Sequence, residues 1–183
     1  MKIRKLTSKI HPYSKRIPSV NRHSFEVESI DEFARYYSLN DIELEDKGPY
    51  ESYRYVEDLN LRRYWDVQTV SNIVRNSNGD DIIEIGTAEG HMTDMLARLA
   101  PNSTVHTLNI PPEDLLEGKG GNKTTRAFST EEIGAVYKKN RRQNVRQIYC
   151  DSRLWKPDVN NIGVAFIDGC HDADYVYNDT KKV

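Results

Sequence analysis

Asp81-Ile82-Ile83-Glu84-Ile85-Gly86-Thr87-Ala88-Glu89-Gly90 decides the fold: an apolar run carrying one acid enters a turn that holds two glycines. Glycine tolerates sharp bends and lets a backbone pass close to a ligand, so the run reads as a strand that ends at a binding turn. His91-Met92-Thr93-Asp94-Met95-Leu96-Ala97-Arg98-Leu99 follows with its apolar residues at helical spacing, completing strand, turn and helix. A dinucleotide fingerprint requires glycine at 86, 88 and 91, yet Ala88 and His91 fill the last two places. A nicotinamide-dependent oxidoreductase is therefore disfavoured.

Upstream, Leu61, Trp65, Val67, Val70, Ile73 and Val74 fall at near-helical intervals, and Asn76-Ser77-Asn78-Gly79-Asp80 closes the pattern. This predicts a helix packed on a sheet. Downstream, residues 103–110 read as a second strand cut off by Pro111-Pro112, residues 145–150 as a third and residues 162–167 as a fourth. Between them lie a glycine- and lysine-containing loop at 118–125 and a helical pattern at 130–140, and another helix begins near Asp172. Strands alternating with helices imply an α/β fold: a mainly parallel sheet with helices on both faces and right-handed crossovers. Ligands of such sheets bind outside the carboxyl ends of the strands, where all four suspect loops converge.

The 183 residues suffice for one domain with an appendage, and the chain divides at residues 57 and 58. Residues 1–57 comprise a basic arm, whose charges up to His23 are all positive and which Pro12 and Pro18 interrupt, followed by an acidic segment rich in tyrosine. Tyr36, Tyr37, Tyr50, Tyr53 and Tyr55 suit either plain packing or a cover over a cleft. A formal net charge of −2 gives no global pull toward phosphate backbones or acidic membranes, so nucleic acid is not expected as a partner and a small or neutral substrate is. Cys150 and Cys170 lack metal-ligand spacing and read as free thiols of a reducing compartment. No apolar run has membrane-spanning length and the amino terminus lacks the apolar core of a secretory signal; the expectation is a cytoplasmic protein that does not enter a membrane.

The acid-x-Gly-x-x-x-Gly form of Glu84, Gly86 and Gly90 resembles motif I of class I S-adenosylmethionine-dependent methyltransferases. Three further strand ends follow in the matching order. Thr107-Leu108-Asn109-Ile110-Pro111-Pro112-Glu113 resembles the family's second and Gln147-Ile148-Tyr149-Cys150-Asp151-Ser152 its third. Phe166-Ile167-Asp168-Gly169-Cys170-His171, with Tyr175-Val176 and Asn178-Asp179 beyond it, is similar to the acid-Gly-x-His signature of a bacterial small-molecule O-methyltransferase group of macrocin and cephalosporin type.

The resemblance implies a Rossmann-like sheet of visible order 3-2-1-4 over residues 58–183, with the family's later strands absent from a chain that stops at Val183. Truncation is the expectation, leaving strand four as an edge. It further implies S-adenosylmethionine as cofactor, cradled by Glu84, Gly86, Thr87, Ala88, Glu89, Gly90, Asn109, Ile110, Asp151 and Ser152. Glu84 either fixes the turn or reaches the cofactor ammonium through water. Asn109 departs from the family's usual acid, and a neutral acceptor holds ribose hydroxyls less tightly than a carboxylate. Asp151 and Ser152 would lie by the adenine, unless Asp151 caps the next segment.

Asp168 and His171 are the candidates for catalysis. His171 stands at the offset where metal-dependent relatives carry a lysine base, and can take the proton from a substrate hydroxyl; Asp168 binds a metal, orients His171 or caps the helix. A divalent metal stays undecided from these residues. The expected reaction is methyl transfer to a hydroxyl of a small molecule or sugar. The alternative is a cofactor-binding or interaction module of the same fold that has lost catalysis, and homo-oligomerisation is left open.

Overall fold

The computed structural model describes residues 67–77, 79–121 and 126–183, together with Glu32 and Arg35. The basic arm, the tyrosine cluster and the division at residues 57 and 58 lie outside the described residues. A helix, α1, is described over residues 67–75. There follow β1 (Asp81–Ile85), α2 (His91–Leu99), β2 (Val105–Asn109), α3 (Pro112–Leu116), α4 (Ala135–Lys139), β3 (Val145–Tyr149), β4 (Ile162–Ile167) and α5 (Ala173–Lys182).

The sheet is four-stranded, of order β3-β2-β1-β4, and every pairing is parallel. This is the Rossmann-like α/β arrangement that the alternation of strands and helices predicts. Strand β1 lies between β2 and β4, so the turn after it opens near the middle of the sheet's carboxyl edge. Register sets what each face carries, because side chains alternate along a strand. Ile82, Val105 and Val145 share one row, and Glu84, Thr107 and Gln147 share the row above on the same face. The lower row, with Val67 and Val74 of α1 and Met92, Met95 and Leu96 of α2, forms a buried apolar core. Ile83, Ile85 and Leu108 point to the opposite face and pack around Trp155.

Two polar contacts fasten α2 against the segment before β3. Asn144, one residue before β3, offers its side-chain amide to the carbonyls of Ala97, Ala100 and Ser103 at 3.0–3.1 Å, occupying acceptors that the end of α2 leaves open. Arg142 grips Asp94 of α2 with Nε and Nη2 at 2.7 and 3.3 Å, a bidentate pair.

The helical pattern at 130–140 contracts to Ala135–Lys139 in the structure. Gly134 takes φ +70°, a left-handed conformation that ends regular helix on its amino side, and residues 130–134 form turns instead. Beyond β2 the prolines do end the strand, but Pro112 then starts the short α3, where a missing N–H breaks no helical bond. Strand β4 pairs only with β1 among the described residues, with Gly163 and Ala165 exposed along it. Among the described residues no helix is long and apolar enough to cross a membrane.

Candidate active site

The turn after β1 is built from left-handed backbone: φ is +108° at Gly86, +47° at Ala88 and +82° at Gly90. Four of its amides are spent within the fold. Gly86 and Thr87 donate to the Leu108 carbonyl at 2.9 and 3.1 Å, Ala88 donates to Asn109 Oδ1 at 3.1 Å, and Gly90 donates to the Thr87 carbonyl at 2.8 Å. The turn's carbonyls are held from outside, Ala88 by the Gly134 amide at 2.9 Å and Glu89 by the Val136 amide at 3.0 Å. Segment 134–136 therefore braces the turn.

Beneath it the row Glu84-Thr107-Gln147 carries a directed chain of hydrogen bonds. Thr93 and Thr107 both donate their hydroxyls to Glu84 Oε2, at 2.5 and 2.6 Å. Because the Thr107 proton is committed there, Thr87 must be the donor in its 2.7 Å contact with Thr107. Gln147 Nε2 donates to Thr87 Oγ1 at 3.0 Å, and the Tyr137 hydroxyl donates to Gln147 Oε1 at 3.0 Å. Glu84 is 0 % exposed, and burial pushes its carboxyl up to about 7 despite the two threonine hydroxyls. The nearby Asp168 charge adds to that rise. This placement ties Glu84 to the turn through Thr107 and Thr87.

Gly86, Asn109, Asp151 and Asp168, one from each strand end, line a single hollow of about 240 Å³. Ala88, Ile110, Ser152 and His171 line it as well, whereas Glu84, Thr87, Glu89 and Gly90 do not. Asn109 is committed to the loop itself: besides accepting from Ala88, its amide donates to the Ile110 carbonyl at 3.0 Å, a bond that a carboxylate could not make.

Asp151 is buried and heavily engaged. Its Oδ1 accepts from the Arg153 amide at 2.8 Å, so it does cap the turn that follows β3, and its Oδ2 accepts from Arg153 Nη2 at 2.8 Å and from the Tyr175 hydroxyl at 3.1 Å. Burial alone would raise its carboxyl, but the bonds from Arg153 and Tyr175 outweigh that and hold it below the usual carboxylate range. The Arg153 guanidinium lies 4.4 Å over the Tyr175 ring, and the Tyr175 oxygen also accepts from the Gly121 amide at 2.7 Å.

At the open side Asp168 and His171 face each other, Oδ1 to Nε2 at 3.2 Å, with side chains 55 % and 80 % exposed. A carboxylate only accepts, so the imidazole donates from Nε2 and keeps its Nδ1 lone pair for another proton. Both cysteines are free and both line the hollow, and burial pushes the Cys150 thiol up.

Arg126, Phe128, Gly121 and Tyr175 belong to this hollow without having been picked out as site residues from sequence. Tyr175 stands four places past His171 within the signature already quoted, which is a signal. Arg126 and Phe128 lie just past the glycine- and lysine-containing loop at 118–125, with no motif of their own. Tyr137 and Gly134, which brace the turn, had no local signal at all.

Residues 83–183, more than half of the chain, match the methyltransferase-domain family. The chain belongs to that family. No curated protein matches it. The methyltransferase match begins inside β1 and takes in the turn, all four strand ends and α5. Ile110 and Leu108 give the hollow apolar walls, and Asp151 and Ser152 line it at the end of β3. Among the described residues no three His, Cys, Asp or Glu side chains are grouped to hold a metal ion.

Proposed function

We propose that this methyltransferase domain binds S-adenosylmethionine in the hollow between its four strand ends and methylates a hydroxyl of a small molecule or sugar. One observation carries the reading: Gly86, Asn109, Asp151 and Asp168, separated along the chain, line the same 240 Å³ space at the carboxyl edge of a parallel sheet. When bound, the cofactor supplies a methyl group on a positively charged sulfur.

The residues of the chain do the positioning. Ile110 and Leu108 would flank the base, Ser152 would meet its polar edge, and Gly86 lets the backbone run beside the methionyl part. Asp168 fixes the His171 imidazole so that Nδ1 can receive the proton of an acceptor hydroxyl, a role of about 10²–10⁴-fold in rate for a general base. The partner proposed is a small hydroxylated acceptor, in a cytoplasmic setting.

A second reading, a binding module without catalysis, is favoured by Asn109, whose side chain is already used at both ends to hold the turn. Calorimetric titration with S-adenosylhomocysteine and with NAD tests the cofactor. Binding of the first alone supports the proposal, and binding of NAD alone sinks it. Methyl transfer to a panel of hydroxylated acceptors then separates enzyme from binder: His171→Ala is expected to lose at least a hundredfold in kcat with S-adenosylhomocysteine affinity unchanged.

A further inference from the structure

The hollow has more negative than positive groups, and the negative ones are already matched. Asp151 is held by Arg153 and Tyr175, and Asp168 by His171. Of the turn after β1 only Gly86 and Ala88 line the space, and their amides are spent on the Leu108 carbonyl and on Asn109 Oδ1. The two turn amides that line the space are thus not offered to an anion. Among the described residues that line the hollow, the one lysine or arginine is Arg126. Its side chain is 63 % exposed and lies 4.4 Å over the Phe128 ring, which also lines the space. Its carboxylate partner, Glu89 Oε1, is at 3.5 Å, well beyond the 2.7–2.9 Å of a good charge-assisted bond. Glu89 belongs to the turn, so this weakly paired fork stands at the turn's edge, whereas Asp151 and Ser152 mark the end of β3.

We propose that the Arg126 guanidinium receives the α-carboxylate at the methionyl end of the cofactor, an inference that rests on the S-adenosylmethionine reading above. A cofactor with a carboxylate at one end and a neutral nucleoside at the other is then oriented by one cation beside the turn and by the apolar walls of Leu108 and Ile110 toward the end of β3. Arg126 exchanges its long contact with Glu89 for a planar two-point grip on the ligand.

The test uses the full 183-residue chain and two ligands that differ at that end alone: S-adenosylhomocysteine, and 5′-methylthioadenosine, which keeps the adenosine and thioether and lacks the amino-acid part. In calorimetry, Arg126→Met is expected to weaken S-adenosylhomocysteine about tenfold and to leave 5′-methylthioadenosine within about twofold. Arg126→Lys, which keeps the charge without the fork, is expected to recover part of the loss. Unchanged S-adenosylhomocysteine affinity overturns the proposal, including the case where the KM of an anionic acceptor rises instead. Equal loss for both ligands also overturns it, since Arg126 would then shape the pocket without reading the carboxylate. A wild-type chain that binds neither ligand removes the S-adenosylmethionine reading and this inference with it, whereas tight binding by wild type and Arg126→Met alike removes the Arg126 assignment alone.

Discussion

A Cβ atom at position 86 would sit 2.3 Å from the backbone oxygen of Asp168, on a residue whose φ is already +108°. The oxygen has little freedom to retreat, because the Asp168 amide is tied to the Ile85 carbonyl at 2.8 Å. Gly86→Ala therefore combines left-handed strain with a backbone clash, for an expected loss of about 2–4 kcal/mol in urea unfolding. Because Gly86 and Asp168 line the same hollow, the clash also displaces one wall of the site, and S-adenosylhomocysteine binding is expected to fall in step. A variant with wild-type stability and affinity would mean that the two strand ends are further apart than this. The glycine was legible in the sequence as a turn residue and the order 3-2-1-4 sets β4 beside β1, but the backbone contact with Asp168 depends on the folded path of the two loops. Asn109 illustrates the same limit. Its departure from an acid could be read directly, whereas its use of both ends of the amide to lock Ala88 and Ile110 depends on the folded path of the turn.

Between elements, the decisive contact is the one that α4 makes with the turn after β1. Tyr137 packs so closely that a Cβ at Gly134 would lie 2.1 Å from its ring and one at Gly90 would lie 2.9 Å from it. Its hydroxyl also starts the hydrogen-bond chain that ends on Glu84. Tyr137→Phe keeps the ring and removes that hydroxyl, leaving Gln147 Oε1 without its donor, for an expected cost of about 1 kcal/mol. Tyr137→Ala also empties the space between Gly90 and Gly134, and about 3–5 kcal/mol is expected by chemical denaturation. Equal losses in the two variants would show that the hydroxyl, and not the ring, carries the contact. The strands were legible from short apolar runs bounded by turn residues, and β4 matches its sequence-read bounds of 162–167. Helix α4 was overextended because periodicity sees Ile133 and Tyr137 on one face and does not see Gly134 turning left-handed between them. The polar row of Glu84, Thr107 and Gln147 stayed hidden for a related reason: three residues from three strands meet only when register is known.

For the whole molecule, Glu84 makes stability depend on pH in an unusual direction for a carboxylic acid. Its proton is held up to about pH 7 in the folded chain, against 4.5 for the ordinary side chain, because burial penalises the charge more than Thr107 and Thr93 relieve it. Between those values the folded state carries a proton that the unfolded state has released, so stability must fall as pH rises through the window. The contribution is fully present below pH 4.5 and has gone once pH passes 7, a decline of roughly 3 kcal/mol. Asp81 and Asp151 act in the opposite sense. Burial raises each, but hydrogen bonds from His106 and Thr104 to Asp81, and from Arg153 and Tyr175 to Asp151, depress both overall. Their stabilisation is present above the ordinary value of 3.8 and is lost as pH falls through the depressed values. Maximum stability is therefore expected near pH 4–5, with separate causes for the two limbs. Glu84→Gln keeps an oxygen for the two threonines and cannot ionise, so the fall between pH 4.5 and 7 is expected to flatten while the acid limb stays. The amide nitrogen takes the place of Oε1, which has no partner among the described residues, and that fixed cost of about 1–3 kcal/mol applies at every pH. The slope, and not the absolute stability, is thus the quantity to compare in urea unfolding from pH 3 to 8. An undiminished slope in Glu84→Gln would assign the titration to another group and leave Glu84 ionised beneath the turn.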